Sequence, residues 1–90
     1  MITGRQIRAA RALLNWKQDM LAEKALVALT ALKRLESERG LHVHETTRDQ
    51  VHRALETSGV VFIDSDRGRG VMLLSKAPSR RPVRTSRTRA

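Results

Sequence analysis

Ninety residues with 18 Lys and Arg, 9 Asp and Glu and no cysteine leave room for one small domain. They exclude a disulfide framework and a thiolate zinc site. The formal net charge of +9 points to a polyanionic partner, but it is unevenly placed. Residues 1–74 hold 12 basic and 9 acidic side chains, a net of +3, whereas residues 75–90 hold Lys76, Arg80, Arg81, Arg84, Arg87 and Arg89 with no acid. That last stretch contains both prolines and almost no large apolar residues, so it cannot offset its own ordering entropy, and a disordered tail is expected. It either wraps phosphates without sequence preference or stands as a solvated extension. The longest apolar-rich run, Ala25 to Leu29 with Ala31 and Leu32 after it, is too short and interrupted to span a bilayer. The first residues lack the apolar core of a secretion signal. A cytoplasmic protein with no membrane contact is therefore the expectation.

In chain order, Thr3-Gly-Arg-Gln6 fits a capping box, with Ile2 and Ile7 at the two positions of a hydrophobic staple. Ile7, Ala10 and Leu14 then share one face, with Leu13 beside them, which predicts an amphipathic helix over about 4–14. Arg5, Arg8 and Arg11 recur every three residues on another face and read as a solvated stripe. After a break at Asn15-Trp16-Lys17, a second helix over 18–25 turns Leu21, Ala22 and Ala25 inward, and a third over 29–37 turns Leu32 and Leu35 inward, stopped by Gly40. Residues 41–46 read as a polar loop. Thr47-Arg-Asp-Gln50 is a second possible capping box, opening a helix that buries Val51, Ala54 and Leu55 and stops at Gly59. Val60–Ile63 and Val71–Leu74 then read as two strands of a hairpin around a seven-residue polar loop, Asp64–Gly70. A lone hairpin is unstable in water, so it needs the helices or a second subunit against it.

Three short helices with tight connections match the helix-turn-helix plan. The small Ala22 lets two helices cross closely, and Leu21, Val27, Leu32 and Leu35 surround the crossing. Gln18-Asp-Met-Leu-Ala-Glu-Lys-Ala25, Val27 and Leu32-Lys-Arg-Leu-Glu-Ser37 resemble the Xre/Cro-repressor helix-turn-helix family. Residues 5–16 are similar to the first helix of a small bacterial subgroup, and residues 53–63 with the glycine-rich loop and strand after them resemble that subgroup's end. The resemblance covers about 1–74, the expected DNA-binding domain. It implies a mainly α, lambda-repressor-like bundle of four to five helices with a short C-terminal β-hairpin. It also implies residue roles. Gln18 would fix the protein against a phosphate and brace a base-reading side chain. Leu29, Thr30 and Arg34 would face the bases, flanked by Ala28 and Lys33, and Glu36 would be structural. Arg34 can donate twice to guanine O6 and N7, and Leu29 or Thr30 can meet a thymine methyl. The chain departs from the family pattern at Lys17 and Met20, where a serine cap and its acidic partner are usual. It departs again at Leu26, where the turn usually has glycine, and at Ala28, where a hydroxyl cap is usual. A missing cap costs about 1 kcal/mol.

The expected function is a sequence-specific transcriptional regulator on double-stranded DNA, working as a homodimer across two half-sites. An antitoxin-like module that binds another protein, and a nonspecific nucleic-acid binder driven by the tail, are the alternatives. His42, His44 and His52 come without a carboxylate or thiolate at ligand spacing, so no metal is expected. Asp64-Ser-Asp-Arg-Gly68 lacks the later bidentate acid of a calcium loop. Arg67-Gly-Arg-Gly70 is a single copy of an Arg-Gly segment, and Trp16 reads as a packing residue. No triad, carboxylate pair or phosphate loop is present, so neither enzyme activity nor a cofactor is expected.

Overall fold

A computed structural model describes residues 2–37, 39 and 43–75. Among them run four helices, α1 (Gly4–Leu14), α2 (Gln18–Ala25), α3 (Leu29–Glu36) and α4 (Glu45–Thr57), then an antiparallel hairpin of β1 (Val60–Ser65) and β2 (Gly68–Leu73). The stop at Gly40, His42 and the tail beyond Ser75 lie outside the described residues.

Helix α1 starts as its first residues require. The Thr3 side chain accepts from the Gln6 amide and the Gln6 side chain accepts from the Thr3 amide, completing the capping box. Ile2 and Ile7 are both buried. Gly4 is needed for packing: a Cβ there would stand 2.8 Å from the carbonyl oxygens of Leu35 and Glu36. Its absence lets the positive start of α1 meet the negative end of α3. Leu13, expected near the apolar face, is exposed instead.

Helices α1 and α2 end in the same way. Asn15 takes φ 59° and Leu26 φ 60°. In each case the left-handed residue donates back three positions (Asn15 to Ala12, Leu26 to Glu23) and the next residue donates back five (Trp16 to Arg11, Val27 to Ala22). This is the Schellman arrangement, which requires one left-handed residue. Asparagine tolerates that conformation. A leucine pays roughly 1–2 kcal/mol for it, and Leu26 recovers little by burial because it is 82% exposed. Leu26→Gly should therefore stabilise the chain by about 1 kcal/mol, raising the melting temperature by roughly 4–8 °C. An unchanged or lower melting temperature in a calorimetric scan would count against strain at this turn.

Two expectations about the second half are corrected. Helix α4 begins at Glu45, two residues before the proposed Thr47 capping box, with His44 as its N-cap and no side-chain cap. The Thr47 and Arg48 amides both donate to the His44 carbonyl, so Thr47 already lies inside the first turn. Val43 packs against the core just ahead, and Glu45 suits the positive end of the helix. The hairpin strands also run further than the apolar runs, leaving only Asp66 and Arg67 in the turn. The seven-residue loop is absent because its polar residues pair across the ladder. Asp64 stands opposite Arg69 at 3.2 Å, and the Ser65 hydroxyl donates to the Gly68 carbonyl while accepting from the Arg67 amide.

The core joins all four helices to the inner face of the hairpin. Ile7, Leu21, Leu32, Val51 and Leu55 are the largest fully buried side chains, and Val60, Phe62, Val71 and Leu73 close the assembly from the sheet. The His52 and Phe62 rings meet edge to face, with centroids 4.9 Å apart. Gln6, buried at the start of α1, ties the hairpin down. Its amide nitrogen donates to the Ile63 and Gly70 carbonyls at 3.1 and 3.0 Å. No described helix is long and apolar enough to cross a membrane.

Candidate nucleic-acid interface

Helix α3 has a sharp division of faces. Leu32, Leu35 and Glu36 are buried. Leu29, Thr30, Lys33 and Arg34 are exposed and fall on one outward stripe by helical spacing, with exposed Ala28 at its N-cap. The sequence therefore grouped these five residues on one surface. A groove of about 340 Å³ runs alongside, between Ala28, Thr30, Ala31 and Arg34 on one bank and Val43, His44 and Thr47 on the other. The stripe carries two cations and no acid, since the sole acid of α3, Glu36, turns inward.

The treatment of Glu36 explains the charge of that surface. Its side chain is only 3% exposed. Arg11 grips it bidentately, Nε to Oε2 at 2.7 Å and Nη2 to Oε1 at 2.9 Å, and Gln18 Nε2 adds a third donor to Oε1 at 2.9 Å. Arg11 Nη1 also donates to the Trp16 carbonyl at 3.1 Å. The carboxylate of the last residue of α3 thus binds the last turn of α1 and the first residue of α2, and through Arg11 it is tied to the α1–α2 link. The acid is neutralised in place, and the outward face of α3 keeps its cationic balance.

Arg11 corrects the reading of a solvated arginine stripe. Arg5 is exposed, but Arg8 is half-buried and Arg11 is drawn under α3. A signal was available: Glu36 recurs with Leu32 and Leu35 on the inward face, and a buried carboxylate requires a cation. Arg11 lies four residues after Ile7 and three before Leu14, at the margin of the core. Gln18 is half-buried and held by Glu36, the inward residue that ends α3. Its Nε2 still has a second hydrogen.

The α2 and α3 starts match the departures noted in the sequence. Lys17 and Ala28 are N-caps with extended backbone and no side-chain cap bond. Trp16 packs against the core, with Lys24 Nζ over its ring at 5.2 Å, an arrangement that fastens the link to α2. Among the described residues no group of His, Asp and Glu is placed to hold a metal ion. Comparison of the chain with family models, with curated proteins and with solved structures finds no match.

Proposed function

We propose that the chain is a sequence-specific DNA-binding regulator of transcription, in which α2 and α3 form a helix-turn-helix of the Xre/Cro-repressor, lambda-repressor-like kind and α3 enters the major groove. The observation that carries this reading is the outward stripe of α3, with Thr30, Lys33 and Arg34 exposed and the helix's one acid buried against Arg11. A helix fits the major groove with its outward side chains against base edges, and Arg34 is the residue suited to guanine. Lys33 and the Ala28 end of the helix would meet phosphates. Gln18 would act mainly by holding Glu36, with its second amide hydrogen left for a phosphate. Such a protein would work in the cytoplasm, as a homodimer, since a single small module binds weakly and two half-sites about one helical turn apart raise affinity and specificity.

Mobility-shift titration against a set of genomic fragments at fixed salt tests the reading. A few fragments should bind at least tenfold tighter than the rest, and equal affinity for all would contradict it. A second reading, an antitoxin-like module that docks another protein, is favoured by Leu26, which projects beside a groove of about 440 Å³ lined by Ala25, Gln50, Arg53 and Ala54. Failure to bind any DNA, together with capture of a specific protein that Leu26→Lys abolishes, would favour it.

A further inference from the structure

Leu26 combines two features that a turn residue has no reason to combine. It is left-handed at φ 60° and 82% exposed, more than any other large apolar side chain among the described residues. The bend itself does not ask for leucine. The same arrangement ends α1, and there the left-handed residue is Asn15, a polar residue that tolerates this conformation. For the protomer alone, the strain and the exposure are both unfavourable. Strain kept at a single residue points to a function at that place.

The surroundings supply a second, independent observation. Leu26 borders a groove of about 440 Å³ between the end of α2 and α4. Ala25 is buried and Ala54 half-buried in its lining, so its floor is apolar and shallow. Lys24, Gln50 and Arg53 line it as well, and no carboxylate does. Lys24 and Arg53 are exposed, and among the described residues neither is paired with an acid.

We propose that this groove receives a short acidic segment of another protein. The apolar side chains of that segment pack on Leu26, Ala25 and Ala54, and its carboxylates meet Lys24 and Arg53. Apolar anchors in a groove with charges beside them are a recurring mode of peptide capture. Charge selects this occupant over those the chain could offer itself. Residues 75–90 hold six basic side chains and no acid, and a second copy brings a formal +9. Both carry net positive charge to a positive groove. A nucleic-acid backbone would satisfy the two cations, but its phosphates give an exposed leucine nothing to pack on. The site deepens the protein-docking reading of Leu26 by naming the partner's chemistry. It shares no residue with the outward stripe of α3 and requires nothing of the DNA-binding reading.

Selection of short random peptides displayed on phage tests the site, with the full wild-type chain as target and Leu26→Gly as counter-target. Both proteins carry the same basic tail, so attraction to the tail cancels. The recovered peptides should combine Asp or Glu with apolar residues. As labelled synthetic peptides in anisotropy titrations without DNA, they should bind Leu26→Gly and Arg53→Glu about tenfold more weakly than the wild type, and Arg34→Ala equally well. Leu26→Gly should lose the peptide while melting no lower than the wild type, which separates lost docking from lost folding. Replacing the peptide's acids by lysine should restore binding to Arg53→Glu. A library that yields no peptide separating wild type from Leu26→Gly, recovered peptides without acids, or binding unchanged in a folded Arg53→Glu would each overturn the assignment. Selective DNA binding with no Leu26-dependent peptide would overturn this site alone. A Leu26-dependent acidic peptide on a chain that selects no DNA would overturn the DNA reading alone.

Discussion

Glu36→Ala is expected to bring the domain close to its unfolding threshold at room temperature, although Glu36 belongs to no expected contact surface. The carboxylate is almost fully buried and accepts from Arg11 twice and from Gln18 once. Removing it leaves the Arg11 guanidinium half-buried without its anion and frees the Gln18 amide, and breaking a buried pair from one side costs about 3–5 kcal/mol. A domain of this size is stable by roughly 4–10 kcal/mol, so the loss is a large part of the whole. Glu36→Gln keeps one acceptor oxygen and should cost less, about half as much by the same reasoning. Urea unfolding followed by circular dichroism measures both. A loss below about 1 kcal/mol for Glu36→Ala would mean that the clasp contributes no more than an exposed ion pair. Replacing Arg11 and Glu36 together by methionine should cost less than the sum of the two single changes, because a buried pair exchanged for apolar groups of similar volume is often near neutral.

Arg34→Ala should behave in the opposite way, leaving stability unchanged and altering what the protein recognises. Arg34 is exposed in the last turn of α3, and surface changes of this kind usually shift stability by less than about 0.5 kcal/mol. If its guanidinium reads a guanine, its loss should weaken the best site by about 1–3 kcal/mol and relax the preference at one base pair. Lys33→Ala is the informative contrast. A lysine on a phosphate should weaken all sequences about equally and lower the slope of log affinity against log salt by roughly one. Fluorescence-anisotropy titrations of both variants on preferred and scrambled duplexes, at several salt concentrations, separate the two behaviours. An Arg34→Ala variant that loses affinity equally on every duplex would make Arg34 a phosphate contact.

Most of what the residues announced in advance was local. The capping box at Thr3 and Gln6 and the inward faces of α1 to α4 depend on neighbours within about five positions, and spacing is enough to see them. The parts that escaped depend on contacts between distant segments. Gln6 was legible as a cap but not as the group that holds the hairpin through two carbonyls nearly sixty or more residues away. Arg11 belonged to a regular arginine stripe, and only the inward turn of Glu36 on α3 withdrew it. The strands were drawn too short because apolarity was taken as their limit, whereas Asp64 and Arg69 extend the ladder by pairing with each other. For the candidate interface, the stripe from Leu29 to Arg34 was visible as helical spacing. The setting of Gln18 was not, because its partner lies eighteen residues on.

Helix α3 is proposed to read base sequence through its outward stripe. Selection of bound duplexes from a random DNA pool, with wild type and Arg34→Ala in parallel, tests it most directly. The wild type should enrich one recurring motif, and Arg34→Ala should enrich the same motif with a single position made degenerate in each half-site. A wild type that enriches no motif, or an Arg34→Ala variant that enriches the motif unaltered at every position, would contradict it.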